Sequence, residues 1–179
     1  MIAQLATAAD RPIVRSLLVE ARLPVADLDT APDLTFWVVR DASGRPVGAI
    51  GLDRHGDAAL LRSLVGTPGQ RLHGLGRTLV RALEEHANAT GVAQLVLLTE
   101  TAETFFRRLG YAVIGRERAP LAVASSAEFR TLCPSTAVCM TKRLRNINNA
   151  PASPSDRKHG SHGPPLVQPA PVRYEGNPA

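Results

Sequence analysis

The chain is poor in aromatic residues, in cysteine and in long apolar runs. Only seven residues are Phe, Tyr or Trp although 44% are hydrophobic, so a core must consist mainly of Leu, Val, Ala and Ile. Two cysteines are too few for a disulfide framework. No window approaches the ~18 consecutive apolar residues of a membrane span, and the first residues, MIAQLATAADRP, lack the apolar stretch of a signal peptide. We therefore expect a cytoplasmic protein that makes no contact with a membrane.

The charge of the chain is basic but dispersed. Lys and Arg number 21 against 16 Asp and Glu, which gives a formal net charge of +5. The arginines are interleaved with acidic residues, and no basic stripe carries aromatic residues on which bases could stack. The composition therefore predicts no nucleic-acid partner and favours small anionic ligands.

The composition changes sharply near residue 146. Residues 146–179 contain seven of the 14 prolines, with Asn, Ser, Gly and His between them and no periodic apolar pattern. Such a segment cannot bury enough surface to offset the entropy lost on ordering. The length of 179 residues is typical of one domain, so we predict a folded domain over 1–145 and a Pro-rich disordered tail over 146–179.

Turn signals and hydrophobic periodicity predict the order of elements in the folded part. Asp10 can cap a first helix that ends at Pro24, and 23–29 is a loop or a short helix. The S-x-x-E pattern at 125–128 predicts a capping box for a brief helix that ends at Cys133. Strands are predicted over 34–40, 47–53, 58–65, 94–99, 113–115 and 137–144, and helices over 75–90 and 101–109. The short links make the first three strands an antiparallel meander, and the order predicts a three-layer α/β (α+β) domain.

The segment with the clearest chemistry lies between the third strand and the long helix. Two glycines let backbone N–H groups approach an anion at the positive end of the helix dipole, and two arginines and a histidine add positive charge. The residues of this predicted pyrophosphate cradle are Arg71, Leu72, His73, Gly74, Leu75, Gly76 and Arg77. The segment lacks the Gly-Lys-Ser/Thr ending of a Walker A loop and the spacing of a dinucleotide-binding loop.

The pattern Arg71-x-x-Gly74-x-Gly76 resembles motif A of the GCN5-related N-acetyltransferase (GNAT) superfamily. The preceding strand, the apolar strand 94–99 and the later sequence FFRRLGY at 105–111 follow the superfamily's order, so the resemblance covers roughly residues 2–145. It implies a single GNAT-like three-layer domain with a central mixed, mostly antiparallel sheet flanked by helices. It also implies acetyl-CoA as co-substrate, a small-molecule amine as acceptor, no metal, and a monomer or homodimer.

Four further blocks resemble a narrower group, the arsenic-resistance-associated N-acetyltransferases known as ArsN2. They are LPVADLD, ALLRSLV, LLTETAETFFRRLGY and EFRTLCPSTAVCM, in this order along the chain. This resemblance implies an arsenic-resistance context. The acceptor that it implies is an amino-bearing organoarsenical or a glutamate-like toxin.

The resemblance also implies where acetyl-CoA binds. In the superfamily the cofactor lies in a gap between the strands that correspond here to 58–65 and 94–99. Backbone groups of Val65 and Gly66 would pair with the pantetheine arm, and the amides of 72–77 would hold the pyrophosphate. Thr99 stands at a position that is commonly Asn. Phe106 stands at the position where many relatives have a Tyr that acts as the general acid. The alternative is that Gly74 and Gly76 only open the helix tightly.

Ser63 and Glu100 are the candidates for deprotonating the acceptor amine, a step that needs a positioned base. Ser63 could order a water, and Glu100 follows the buried strand. Alternatively, Ser63 has no role and Glu100 caps the helix at 101–109. Arg62 could bind an anionic group of the acceptor, or it could be solvated or paired with a nearby Asp.

Two alternative functions stay open at this point. The presence of Phe106 in place of the Tyr that acts as general acid favours a non-catalytic acyl-CoA-binding sensor. Cys133 and Cys139 could bind arsenite as soft thiolates in an accessory protein, although buried inert thiols are the ordinary interpretation. The histidines show no metal-site spacing, and we predict no metal.

Overall fold

The computed structural model describes residues 1–70 and 74–144. Seven strands form one sheet: β1 (Ala3–Leu5), β2 (Leu34–Arg40), β3 (Pro46–His55), β4 (Ala58–Gly66), β5 (Gln94–Thr99), β6 (Ala112–Ile114) and β7 (Val138–Arg143). The α-helices are α1 (Arg11–Glu20), α2 (Leu75–Ala89), α3 (Glu103–Arg107) and α4 (Leu121–Ala124). In the described part of the chain, no helix has the length and apolar character needed to cross a membrane.

The strand order in the sheet is β1-β2-β3-β4-β5-β7-β6. Strands β4 and β5 are parallel, and the other pairings of the described sheet are antiparallel. The prediction of a mixed, mostly antiparallel sheet flanked by helices is confirmed. The predicted meander of three strands is also present, with a turn at Gly56 between β3 and β4.

The alternation of side chains along β2 divides the core into two layers. Trp37 and Val39 belong to the cluster of buried residues that packs against α2, whereas Phe36 and Val38 belong to the cluster that contains α1. Successive side chains of a strand point to opposite faces of its sheet. The helices α1 and α2 therefore cover opposite faces, which gives the three layers that the sequence predicts.

The N-terminus of α1 is tied to the sheet by a buried carboxylate. Asp10 does not cap α1 with its side chain as the sequence predicts. Its carboxylate accepts hydrogen bonds from the backbone N and Oγ1 of Thr7 (2.7 and 2.8 Å) and from the Arg40 guanidinium (2.8 and 2.9 Å). The Arg40 hydrogen bond is the main reason that the pKa of Asp10 lies well below its usual range.

Several short elements differ from the sequence prediction. Strand β1 and helix α4 were not predicted, because three- and four-residue elements are too short for a period to be visible. Helix α3 is shorter than the predicted 101–109, and α1 ends at Glu20, before Pro24. Residues 26–30 form turns and not a second helix. The tail predicted for 146–179 lies outside the described residues, so the boundary at 145 stays a prediction.

Candidate active site

The parallel strands β4 and β5 separate towards their C-terminal ends. Their pairing covers Ala58–Leu60 of β4 and Gln94–Val96 of β5. Beyond these residues no described pairing joins the two strands, although β4 continues to Gly66 and β5 to Thr99. The separation opens a cavity of about 480 Å³. We call this space the strand gap.

The strand gap has walls from four parts of the chain. They are the segment after α1, the end of β4, the end of β5 with the start of α3, and the segment before β7. Its lining residues are Ala21–Pro24, Leu60–Leu64, Leu97–Ala102, Phe106, Glu128, Leu132–Pro134 and Ala137. The gap therefore brings together Arg62, Ser63, Thr99, Glu100 and Phe106, five of the predicted site residues.

A β-bulge shapes the β4 wall of the strand gap. Arg62 faces Gly51 and Val65 faces Ala49, so two residues of β4 oppose one residue of β3. Within the bulge Ser63 has a φ of 59°, a left-handed conformation that is rare for a residue other than glycine. Its buried hydroxyl has no hydrogen-bond partner among the described residues. Strained conformations of this kind cluster at functional sites.

The N-terminus of α2 lies beside the end of β4. A Cβ atom on Gly48 or Gly66 would lie 2.7 or 2.9 Å from Cδ2 of Leu75, so these glycines let Leu75 pack directly against the ends of β3 and β4. Gly74 precedes the helix with a φ of 76°, and a Cβ atom there would meet no atom of the described residues within 4 Å. The N-terminus of α2 thus packs against the C-terminal end of β4, the strand whose preceding residues line the strand gap.

The predicted pyrophosphate cradle is described only in part. Gly74 and Arg77 are exposed, Leu75 is buried in the core, and Gly76 packs near Phe105. Arg71, Leu72 and His73 lie outside the described residues. Val65 and Gly66 follow the gap-lining part of β4 and pair with β3 on their other side. Binding of a cofactor by these residues stays a prediction.

The β5 wall contains Thr99, Glu100 and Phe106. The Oγ1 atom of Thr99 accepts a hydrogen bond from the backbone N of Ala102 at 2.9 Å, so Thr99 supports the turn into α3. Glu100 is exposed, accepts a hydrogen bond from Thr136 at 3.3 Å, and is not the cap of α3. Phe106 is buried and stacks edge-on against Phe105 and Tyr111.

Arg62 is held in a buried cluster of charges. Its guanidinium donates two hydrogen bonds to Asp27, of 2.5 and 2.7 Å, in the bidentate geometry that suits a carboxylate. Its Nη2 atom also lies 2.5 Å from Oε2 of Glu128, an ion pair whose angles are not those of a hydrogen bond. Of the alternatives for Arg62, pairing with a nearby Asp is the one that the structure contains. The guanidinium is therefore occupied within the protein, which leaves it poorly placed to bind an acceptor carboxylate.

The two carboxylates of this cluster differ in their electrostatics. Burial alone would raise the pKa of Asp27, but the hydrogen bonds and charge of Arg62 outweigh it and lower the pKa. At Glu128 burial prevails over the attraction of Arg62 and raises the pKa above its usual value. Glu128 is thus the carboxylate of the cluster that takes up a proton more easily.

Sequence reasoning missed both partners of Arg62. Glu128 is the last residue of the predicted capping box, but its side chain is buried against Arg62. The backbone N of Phe129 donates a hydrogen bond to Ser126 Oγ. Asp27 lies in a segment without periodicity. A buried Arg in a strand next to a predicted site is the signal that could have prompted a search for distant acidic partners.

The two cysteines have different surroundings. The Cys133 thiol lines the strand gap and donates a hydrogen bond to Glu128 Oε1 (3.3 Å), and burial together with Glu128 raises its pKa to about 12. Cys139 lies in β7 within an apolar cluster, and burial raises its pKa as well. A raised pKa disfavours the thiolate that would bind a soft metal. Within residues 1–70 and 74–144, no three His, Cys, Asp or Glu side chains are grouped as metal ligands.

Comparison with known proteins places this geometry in a family context. Residues 32–113 match the model of the acetyltransferase (GNAT) domain. By sequence, no curated protein matches the chain. A GNAT-family acetyltransferase from Staphylococcus aureus Mu50 superposes with a TM-score of 0.66 at 13% identity, covering 80% of this chain and 98% of that one.

Two solved structures with bound ligands also resemble the chain. One is N-acetylglutamate synthase from Neisseria gonorrhoeae with coenzyme A and N-acetyl-glutamate (TM-score 0.67, 16% identity), of which the match covers 81% of this chain and 36% of that one. The other is a Mycobacterium tuberculosis protein in complex with CoA and NLQ (TM-score 0.65, 21% identity, 81% and 100% covered). Residues 32–113 therefore match a GNAT acetyltransferase domain, and the chain has the GNAT-type fold.

Proposed function

We propose that the protein is an acetyl-CoA-dependent N-acetyltransferase that acetylates a small amine. The observation that carries the proposal is the separation of β4 from β5 beside the N-terminus of α2. An extended pantetheine arm could add as a further strand to the part of β4 beyond Leu60, where its described pairing with β5 ends. The GNAT domain match over 32–113 and the CoA complexes of similarly folded proteins support the same proposal.

The residues present are suited to hold the cofactor. Backbone groups of Val65 and Gly66 would bind the pantetheine arm, and the helix amides from Gly74 to Arg77 would bind the pyrophosphate with Arg71, Leu72 and His73. Gly74 has a positive φ and is exposed, and it stands at the positive end of the α2 dipole, where a phosphate would be stabilised. Thr99 and Phe106 would border the acyl group at the β5 wall.

The chemistry is attack of a neutral amine on the thioester carbonyl. Phe106 offers no proton to the leaving thiolate, and a CoA thiol with a pKa near that of cysteine can leave without a side-chain acid. Tyr111 is poorly suited to this role, because it is buried outside the wall of the strand gap and burial raises its pKa far above the usual value. The partnerless hydroxyl of Ser63 could hold a water or a polar group of the substrate.

The acceptor class rests on the sequence resemblance alone. The four blocks that resemble the ArsN2 group support an amino-bearing organoarsenical or a glutamate-like toxin as the acceptor. Since Arg62 is already paired with Asp27 and Glu128, the acid group of such a compound would need a different cation. A non-catalytic acyl-CoA-binding sensor is the second candidate. Phe106, at the position where many relatives have a Tyr as general acid, favours it.

Release of CoA thiol in the presence of an amine panel separates the two candidates. The full chain is incubated with acetyl-CoA and each amine, thiol release is followed continuously, and acetylated product is detected by mass spectrometry. An acetyltransferase turns over repeatedly with at least one amine. A sensor binds acetyl-CoA but releases no thiol above the rate without amine.

A further inference from the structure

Glu128 is the one buried carboxylate on the wall of the strand gap. It is 5% exposed, and it comes from the segment between β6 and β7. Its Oε1 accepts a hydrogen bond from Cys133, and its Oε2 lies against Arg62 without a hydrogen bond. Glu128 thus lines the cavity with a carboxylate whose Oε2, although enclosed beside Arg62, has no hydrogen-bond donor.

The charged groups packed directly around Arg62 and Glu128 leave an excess of negative charge, and the further cation Arg116 donates a hydrogen bond to the carbonyl O of Pro134 and lies over the Phe129 ring. Arg62 supplies one positive charge, whereas Asp27 and Glu128 supply two negative charges, and Asp53 is a further buried carboxylate, 3.2 Å from His55. The remaining charged side chains on the wall, Arg22 and Glu100, are exposed to solvent. A buried cluster with uncompensated negative charge attracts a cation into the cavity.

We infer that Glu128 binds the ammonium group of the acceptor and accepts the proton that this group must lose before it attacks the thioester. Arg62 and Asp27 are positioning residues, because they hold the carboxylate at the wall of the strand gap. The inference rests on the proposed N-acetyltransferase function. It assigns the acceptor to small ammonium compounds with an apolar body, since Leu23, Pro24 and Leu132 line the same cavity.

The proton transfers balance as follows. An N–H bond of the ammonium breaks, an O–H bond forms on Glu128, and the nitrogen lone pair attacks the carbonyl carbon. As the C–S bond breaks, the CoA thiolate takes the second nitrogen proton, and the third stays on the amide. Glu128 returns its proton to solvent. Burial raises the pKa of Glu128, with Arg62, Cys133, Asp27 and Asp53 as the groups that act on it, so the carboxylate is a better proton acceptor than a solvated one.

The test compares Glu128→Gln with the native full chain. Glutamine keeps the volume and the acceptor for Cys133 but removes the charge. The matched control is Glu103→Gln, which removes a surface carboxylate that is paired with Arg107 and lies outside the cavity wall. The probes are 2-phenylethylamine, putrescine and L-glutamate, and acetyl-CoA binding is measured separately by calorimetry.

We expect Glu128→Gln to lower kcat/KM for the preferred amine at least a hundredfold at pH 7, with acetyl-CoA affinity changed less than twofold. The native kcat/KM should level off well below the pKa of a free primary amine, which is about 10. In the variant it should keep rising with pH up to that value, because solvent must then deprotonate the amine. A purely structural role of Glu128 would lower the rate without changing the shape of this profile.

The outcomes separate the inference from the proposed function. Native protein that binds no acetyl-CoA contradicts the proposed function. Turnover that survives Glu128→Gln within threefold, or that is lost in Glu100→Gln instead, overturns the role of Glu128 alone. If acetyl-CoA binds but no probe amine is acetylated, the affinity of the CoA-loaded protein for the amines tests the role of Glu128. Amine binding that is at least tenfold weaker in Glu128→Gln supports the ammonium site. Amine binding that is absent, or unaffected by the substitution, overturns it.

Discussion

Replacing Asp27 by Asn should destabilise the domain much more than replacing its neighbour Asp29. Both carboxylates pair with an arginine at 2.5 Å. The side chains of Arg62 and Asp27 are only 1% and 10% exposed, whereas those of Arg15 and Asp29 are 40% and 74% exposed. The comparison therefore tests burial together with the second hydrogen bond of the Asp27 pair, since the shortest N–O distance and the residue types are the same.

The expected loss of stability in Asp27→Asn follows from the ion pair that Arg62 loses. Removing one partner of a buried ion pair costs about 3–5 kcal/mol, because a charge is left buried without compensation. Glu128 still faces Arg62 after the change, and Asn keeps one acceptor oxygen, so we expect a cost just below this range, about 2–3 kcal/mol. For a domain of this size each kcal/mol lowers Tm by about 2–4 °C, which gives a decrease of about 4–12 °C. Asp29→Asn should cost less than about 1 kcal/mol.

The pH dependence of the same variant gives an internal check. Arg62 lowers the folded-state pKa of Asp27. The stability that Asp27 contributes is therefore fully present above its unfolded pKa of about 3.9 and is lost as the pH falls through the folded value. Thermal unfolding should show a large difference between native protein and Asp27→Asn at pH 7 and a small one near pH 3. Equal melting temperatures of native protein, Asp27→Asn and Asp29→Asn at pH 7 would refute the buried cluster.

Three further predictions concern the cofactor site, the leaving group and the tail. Gly74→Val should weaken acetyl-CoA binding at least tenfold, about 1.4 kcal/mol. The control Gly56→Val changes a glycine with a similar φ of 71° in the turn at the other end of β4, and it should only lower Tm. Calorimetry measures the affinity of both variants, and melting curves measure their Tm. Phe106→Tyr should leave turnover unchanged or raise it, and the native pH–rate profile should have no descending limb near pH 8–10 from a titrating Tyr; such a limb would mean that another acid acts. A chain that ends at Arg145 should keep its Tm within a few degrees and still bind acetyl-CoA, and a large loss on truncation would contradict the prediction for the tail.

The fold was predictable where local signals are strong. Short turns and β-branched runs gave β2 and β5 with the observed bounds, and β3, β4 and α2 within one or two residues. Gly74 and Gly76 pointed to the N-terminal end of α2. These features depend on residues that are near one another in the chain.

The interior of the candidate site was not predictable in the same way. Asp27, Arg62 and Glu128 meet only after three distant segments have packed together, and no sequence spacing reports such a contact. The bulge at Ser63 places a serine in a left-handed conformation that the apolar run ALLRSLV does not announce. The sequence therefore identified the strand that carries Arg62 but could not decide between a substrate anion and a protein carboxylate as its partner.

Hydrogen exchange of the full chain with and without acetyl-CoA tests most directly whether the strand gap is the cofactor site. The amides in the part of β4 beyond its pairing with β5, within 61–66, and those at the start of α2, from Gly74 to Thr78, should exchange at least tenfold more slowly when acetyl-CoA is bound. The amides of β1 and β2, which lie at the far side of the sheet, should exchange at unchanged rates. Binding of acetyl-CoA that protects other segments and leaves the end of β4 unaffected would contradict the account.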